Sequence, residues 1–311
     1  MHAYNLSTNG TLYFNSKVQN FLNKYRNLVH VGVTIDGSKE LHDSCRLFPD
    51  GSGSYDIAIQ SALKELNQGY SSTKITLSPN NIDYLFDGIK NMLNLGFNFI
   101  NANCCFEDMW DKESALKLFK ELIKISDWIK ENNLYDKIYL ALLESERFRQ
   151  IRKDDLNKNW CGVGEGGMIA IDPKGDYYPC IRFMPTSIGH ELKPIKLGNV
   201  NHGFLFTEEE KENYKQLLKC TRSKLSNKEC LECPIGGGCS WCLGYCYEYY
   251  GNLNQKTNFI CEVYKMEALA SKYLAKIMND KKSYDLITLN YNMYKDLISE
   301  NNFNKINNWE V

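Results

Sequence analysis

The 311-residue sequence lacks three features that would assign it to a common class of proteins. No stretch approaches the run of about 18 apolar residues that spans a membrane. The opening segment, "MHAYNLSTNGTLYF", has neither the positive start nor the apolar run of a secretory signal. With a net charge of −1, the chain has no basic excess for binding phosphates. These absences predict a cytoplasmic protein whose partners are neither membranes nor nucleic acids.

Cysteine, by contrast, is abundant. The chain has 12 cysteines, and the cytosol keeps thiols reduced. A disulfide framework is typical of small secreted domains, whereas a chain of this length can bury a sizeable core without cross-links. The cysteines are therefore candidates for metal ligands.

Residues 1–150 alternate strand-like and helix-like segments. The strand-like segments are "AYNLS", "LVHVGVTIDG", "TKITLS", "FNFINAN" and "KIYLALL". Helical periodicity covers 54–66, 82–93 and 114–130, and Asn80 or Asn81 can cap the second of these helices. Strands and helices at this spacing predict an α/β fold built of βα units around a parallel sheet. The first strand would present an unpaired edge.

After residue 150 the pattern changes. The segment "CGVGEGGMIAIDPKGDYYPC" predicts two short strands joined by an Asp-Pro-Lys-Gly turn. A connection then leads to "CLECPIGGGCSWCLGYC", and a helix is predicted from about Glu262 to Met278. We therefore divide the chain into a first domain at 1–150, a small α+β cysteine-rich domain at 151–282 and a helical tail at 283–311.

Eight of the cysteines lie in the second region: Cys161, Cys180, Cys230, Cys233, Cys239, Cys242, Cys246 and Cys261. Two [4Fe–4S] clusters require eight thiolates, at four apiece. Cysteines with two residues between them share a tight turn and can reach one metal centre. Cys242 and Cys246 are instead one helical turn apart. Glycines 236–238 would let backbone amides approach cluster sulfurs. A structural zinc site of Cys230, Cys233, Cys239 and Cys242 is the alternative.

The wider cysteine pattern resembles the SPASM domain, the auxiliary-cluster domain of many radical S-adenosylmethionine enzymes that modify peptides. The pattern is Cys161-x13-Gly175-x4-Cys180, then Cys230-x2-Cys233-x5-Cys239, then a further cysteine and Cys261. The resemblance implies one cluster on Cys230, Cys233, Cys239 and Cys261, and a second on Cys161, Cys180 and Cys242. The family's next cysteine would fall at Leu243, so the second cluster has either Cys246 as its fourth ligand or an open iron for a substrate thiol.

The first region resembles the third and fourth βα units of the radical S-adenosylmethionine barrel. The segments that carry this resemblance are "STNGTL" and "VTIDGSKELHDSCR". It implies that Thr34 and Arg46 contact S-adenosylmethionine, with Ser7 and Asn9 at the neighbouring strand end. A guanidinium can pair with a carboxylate, and a hydroxyl can bond the sugar or the amino-acid part. Without the resemblance, the residues themselves favour turn and capping roles, with Arg46 in a surface ion pair.

Two landmarks of that family do not occur in the sequence. One is the Cys-x3-Cys-x2-Cys motif that holds the cluster that cleaves S-adenosylmethionine, and the other is a "GGEP"-type segment. The resemblance therefore implies a partial barrel of about units three to six of six. It also implies that S-adenosylmethionine serves as a cofactor only if the missing N-terminal part is supplied.

Together these features favour the C-terminal portion of a radical S-adenosylmethionine/SPASM enzyme that modifies a peptide or protein. In that family a deoxyadenosyl radical abstracts hydrogen from the substrate, and the cofactors carry the chemistry. The resemblance implies a peptide or protein substrate and an electron donor such as flavodoxin or ferredoxin. The alternatives are a non-catalytic iron–sulfur protein that transfers electrons or binds a peptide, and a zinc-stabilised binding module.

Overall fold

The computed structural model describes residues 4–107, 110–163 and 168–309. Its first part contains five parallel strands in two sheets. Strand β1 (Tyr4–Thr8) pairs in parallel with β2 (Val29–Val33). The other three strands run in the order β3-β4-β5: β3 (Ser72–Leu77), β4 (Phe99–Cys104) and β5 (Tyr139–Leu140). The predicted βα pattern with parallel strands is confirmed.

Polar contacts join the two sheets where β2 ends. The Thr73 hydroxyl donates to the Ile35 carbonyl at 3.0 Å, and the Thr76 amide donates to Asp36 Oδ1 at 2.8 Å. Because Asp36 is only 2% exposed, this carboxylate is a buried acceptor between the sheets. These contacts hold the chain just after β2 beside β3.

Helices follow the strands and cover them with their apolar faces. They are α1 (Ser16–Tyr25), α2 (Lys39–Asp43), α3 (Tyr55–Leu66), α4 (Leu85–Asn94) and α5 (Lys112–Glu131). Helix α5 begins at a capping box in which Asp111 accepts from the Ser114 amide at 2.8 Å. Asn81 occupies the N-cap position of a 3₁₀ turn, Ile82–Tyr84, that leads into α4, but its side chain accepts from the Ser78 amide and makes no capping hydrogen bond.

The second part contains a small antiparallel sheet in the order β6-β7-β8-β9. Its strands are β6 (Ala170–Ile171), β7 (Asp176–Tyr178), β8 (Gly198–Asn199) and β9 (Gly203–Phe204). The predicted turn lies between β6 and β7, with Gly175 at φ +80°. The sequence did not indicate β8 and β9, because two residues are too few to show an alternating pattern.

Short helices carry the cysteine-rich stretch. After the sheet come α6 (Glu208–Leu218), α7 (Arg222–Leu225), α8 (Lys228–Leu231) and α9 (Leu243–Tyr250). The chain ends with α10 (Cys261–Ile277), α11 (Lys281–Leu286) and α12 (Glu300–Asn307). In the described ranges, no helix is both long enough and apolar enough to cross a membrane.

Buried side chains form two clusters. The larger includes the strand interiors, α5, α10 and tail residues such as Tyr294 and Phe303. The smaller belongs to the cysteine-rich part and includes Phe183, Trp241 and Cys246. Helix α10 thus starts beside the cysteines and packs against α5. The domain boundaries at 150 and 282 stay predictions.

Candidate metal centre

Four of the predicted ligands line one cavity: Cys230, Cys233, Cys239 and Cys261. Cys230 lies in α8, Cys233 follows that helix, Cys239 follows the glycines and Cys261 begins α10. The cavity volume is about 50 Å³. Burial raises the pKa of the Cys239 thiol to about 12, so an anionic thiolate at this position needs compensating positive charge.

The glycine segment before Cys239 is fixed by two arginines. Arg222, 5% exposed, donates to the carbonyls of Gly236 and Gly237 at 3.0 Å each. The Gly237 amide donates to the Arg149 carbonyl at 2.7 Å. A Cβ at Gly238 would clash with the Arg147 carbonyl and lie 2.6 Å from the Tyr264 hydroxyl. The glycines therefore permit a close approach to the backbone at 147–149, a reason that the sequence did not indicate.

Two further side chains of this cavity carry N–H donors. Lys256 Nζ lies 3.5 Å from Cys230 Sγ. Trp241 is 3% exposed, and its indole N–H is buried without a hydrogen-bond partner among the described residues. Sequence reasoning assigned neither residue a role. Trp241 could have been noticed because it stands between Cys239 and Cys242, whereas nothing local marks Lys256.

The other four predicted ligands are Cys161, Cys180, Cys242 and Cys246. Burial raises the pKa of Cys180 to about 11, and the nearby thiols of Cys242 and Cys161 act in the same direction. Cys246 is completely buried, and its sulfur accepts from the Thr257 amide at 3.4 Å. The thiols of Cys161 and Cys242 therefore lie near Cys180, and Cys242 also lies near Cys246, whose sulfur is hydrogen-bonded to Thr257.

An ion pair connects the second group of cysteines with the end of β4. Arg182 Nη2 lies 2.7 Å from Glu107 Oε1, and the thiol of Cys242 is close enough to act on the guanidinium electrostatically. A Cβ at Gly244 would clash with the Arg182 side chain, so the absence of a side chain at Gly244 leaves room for the arginine. Sequence reasoning missed Glu107 and Arg182, since 75 residues separate them.

The residues predicted to contact S-adenosylmethionine lie at the carboxyl ends of β1 and β2. Ser7 is exposed, and Thr34 is half-buried with its amide donating to the Thr8 carbonyl. Asn9 Oδ1 accepts from the amide and the hydroxyl of Thr11, at 3.2 and 3.0 Å, which is a local turn contact.

Arg46 is engaged within the protein. Its Nε atom donates to the buried carboxylate of Asp36, and the two groups form an ion pair. That carboxylate also accepts from β3, so Arg46 is tied to the junction between the two sheets. The role of Arg46 toward S-adenosylmethionine stays a prediction, as do those of Ser7, Asn9 and Thr34.

The thiols as they stand do not form a ready coordination sphere. Within 4–107, 110–163 and 168–309, no group of three or more His, Cys, Asp and Glu side chains is arranged to hold a metal ion. The donor set nevertheless fits an iron–sulfur cluster in its chemistry, because four cysteines, a lysine and a tryptophan with an unpaired N–H line one cavity.

The fold matches that of solved structures of anSMEcpe. The chain is similar to the structure of anSMEcpe with bound AdoMet, with a TM-score of 0.60 and 18% identity. That comparison covers 94% of this chain and 74% of the other. The chain is also similar to anSMEcpe with bound AdoMet and Kp18Cys peptide, with a TM-score of 0.59 and 19% identity. This second comparison covers 89% of this chain and 76% of the other. The predicted fold class is confirmed.

A third similar structure is anSMEcpe with bound AdoMet and Cp18Cys peptide. Its TM-score is 0.59, with 20% identity over 90% of this chain and 77% of the other. At this level of identity the likeness is one of fold. No family model matches the sequence, and no curated protein is similar to it.

Proposed function

We propose that this chain is an iron–sulfur protein of the radical S-adenosylmethionine peptide-maturase type and holds two auxiliary [4Fe–4S] clusters. Cys230, Cys233, Cys239 and Cys261 would hold one cluster. The observation that carries the proposal is that these four cysteines, spread over 32 positions of sequence, line one cavity. When bound, such a cluster supplies one-electron transfer at a potential set by its surroundings.

The second cluster would be held by Cys161, Cys180 and Cys242. Support comes from the thiols of Cys242 and Cys161, which lie close enough to Cys180 to raise its pKa. Cys246 does not join them in this proposal; its buried sulfur accepts from the Thr257 amide and adjoins Cys220 as well as Cys242. One iron would then have no cysteine ligand and could accept a substrate thiol.

The substrate in this proposal is a peptide or protein. The support is that two of the structures with this fold carry a bound peptide. The reducing electrons would come from a carrier such as flavodoxin or ferredoxin, and the compartment would be the cytoplasm. Because the sequence has no Cys-x3-Cys-x2-Cys motif, we expect these 311 residues alone not to cleave S-adenosylmethionine.

The test is to purify and reconstitute the chain without oxygen. We expect a brown protein with about eight irons and about eight sulfides per chain, and a cubane signal by electron paramagnetic resonance after reduction. Colourless protein with stoichiometric zinc, or protein that takes up no iron, would contradict the proposal.

Activity needs a separate experiment. A segment that carries Cys-x3-Cys-x2-Cys should be co-expressed with this chain, and deoxyadenosine formation measured. The chain by itself should give none, and the pair should give product. If the reconstituted pair forms no deoxyadenosine although both parts carry iron, the radical part of the proposal is wrong.

A further inference from the structure

The residues that line the cavity of Cys230, Cys233, Cys239 and Cys261 include one hydrogen-bond donor that lacks an acceptor in the described ranges. The indole N–H of Trp241 is buried and has no partner among the described residues. A buried donor without an acceptor costs about 1–3 kcal/mol, so such groups are rare in native proteins. Trp110 shows the usual situation, because its indole donates to the Cys105 carbonyl at 2.9 Å. We therefore expect the acceptor for Trp241 to belong to a group that is bound in the cavity.

A cation lies at the same cavity. Lys256 Nζ is 3.5 Å from Cys230 Sγ, and Lys256 forms no ion pair with a carboxylate among the described residues. The lysine is half-buried, so its charge is only partly screened by water. This ammonium group has no carboxylate partner in the described part of the chain and lies at a cavity lined by four cysteines. A negatively charged group bound in the cavity would provide the partner.

Sulfur is the acceptor that fits both observations. A [4Fe–4S] cluster with four thiolates carries net negative charge, and its sulfurs accept hydrogen bonds from nearby N–H groups. Reduction adds one electron from the reductant, and no bond need form or break. Donors and cations at the sulfurs stabilise the reduced form more than the oxidised form, and they therefore raise the reduction potential.

We propose that Trp241 and Lys256 are positioning residues that donate N–H···S hydrogen bonds to the group held by Cys230, Cys233, Cys239 and Cys261, and thereby raise its reduction potential. This inference rests on the proposed function, since it requires that the four cysteines hold a cluster. It assigns two residues that the cysteine pattern does not include.

The experiment compares the full chain with Trp241→Phe and Lys256→Met after reconstitution without oxygen. Iron and sulfide are counted first, and the potentials are then measured by dithionite titration followed by electron paramagnetic resonance. One of the two reductions should move to a more negative potential in both variants. The shift should be larger for Lys256→Met, because a full charge is removed, and Lys256→Arg should restore part of it.

Trp128→Phe is the matched control. Trp128 lies on α5 and packs edge-on against Phe86, away from the cysteines, so the same chemical change there should leave both potentials unchanged. A comparison of the reduced protein in ordinary and deuterated buffer should reveal coupling to an exchangeable proton that is absent in Trp241→Phe and kept in Trp128→Phe.

The outcomes separate this inference from the proposed function. Wild-type protein without iron overturns both. Full iron content with unchanged potentials in Trp241→Phe and Lys256→Met overturns the inference and leaves the proposed function intact. If Trp241→Phe does not assemble a cluster, the pair Lys256→Met and Lys256→Arg decides: absence of a negative shift overturns the inference, and a shift that arginine reverses supports it.

Discussion

The two groups of cysteines differ in how the protein surrounds them. The first group, Cys230, Cys233, Cys239 and Cys261, lines a cavity. Arg222 and the backbone at 147–149 hold its glycine segment in place. The second group, Cys161, Cys180, Cys242 and Cys246, includes a completely buried thiol at Cys246, whose sulfur accepts from the Thr257 amide.

This difference indicates that the two groups of cysteines have different roles. Around the first group, the charged and polar side chains are arranged about a shared space, which is what a buried cofactor requires. Around the second group, an ion pair between Arg182 and Glu107 links the site to the end of β4. In our proposal the first site is fully ligated by protein and the second is open.

The largest effect should come from removing a thiol of the first group. Cys239→Ala should reduce the iron content from about eight to about four per chain, because a cubane needs its ligands. Iron analysis together with visible absorbance measures this. Cys220→Ala is the control, since Cys220 is a buried cysteine whose thiol donates to the carbonyls of Gln216 and Leu253. Equal iron loss in both variants would contradict the assignment.

The next comparison lies within the second group. Cys242→Ala should lose about four irons, whereas Cys246→Ala should keep about eight, because Cys246 is not a ligand in our proposal. Iron content and the cubane signals report the result. If Cys246→Ala loses as much iron as Cys242→Ala, Cys246 is the fourth ligand and the second site is closed.

A smaller effect should follow from loosening the support of the first group. Arg222→Met leaves the carbonyls of Gly236 and Gly237 without their donor, so we expect the free energy of unfolding to fall by about 2–4 kcal/mol. Urea unfolding of the metal-free protein measures this, and Arg222→Lys should lose less. An unchanged free energy would mean that the arginine does not hold the glycine segment.

The smallest effect concerns the ion pair behind that segment. The Arg149 guanidinium, 2.7 Å from Asp155, holds the pKa of that carboxyl below its usual range. A depressed pKa stabilises the fold above the ordinary value of about 3.9, and this stabilisation is lost as the pH falls through the lower folded value. Asp155→Asn should therefore cost up to about 1 kcal/mol at pH 7 and less at pH 3.

Unfolding of wild type and Asp155→Asn at both pH values gives the difference. Asp154→Asn serves as the control, because Asp154 is exposed and adjacent in sequence. A difference that is the same at pH 7 and pH 3 would show that the ion pair does not contribute.

The local elements could be predicted because their signals are local. Alternating apolar residues indicated strands at β2 and β3, and helical spacing indicated α3, α4 and α5. The strands β8 and β9 could not be predicted, since two-residue strands have no readable period. The side chain of Asn81 does not cap the helix because its Oδ1 atom accepts from the Ser78 amide in the preceding turn.

The sequence by itself determined the parallel βα pattern and the short spacings of Cys230, Cys233 and Cys239, because both depend on neighbours a few residues apart. Only the tertiary structure decided that Cys261 faces the same cavity, since this depends on α10 packing against α5. It likewise paired Arg46 with Asp36, placed Cys246 against Thr257 and buried Trp241 without a partner. These contacts follow from how buried surfaces fit together across long stretches of chain, and no local pattern records that fit.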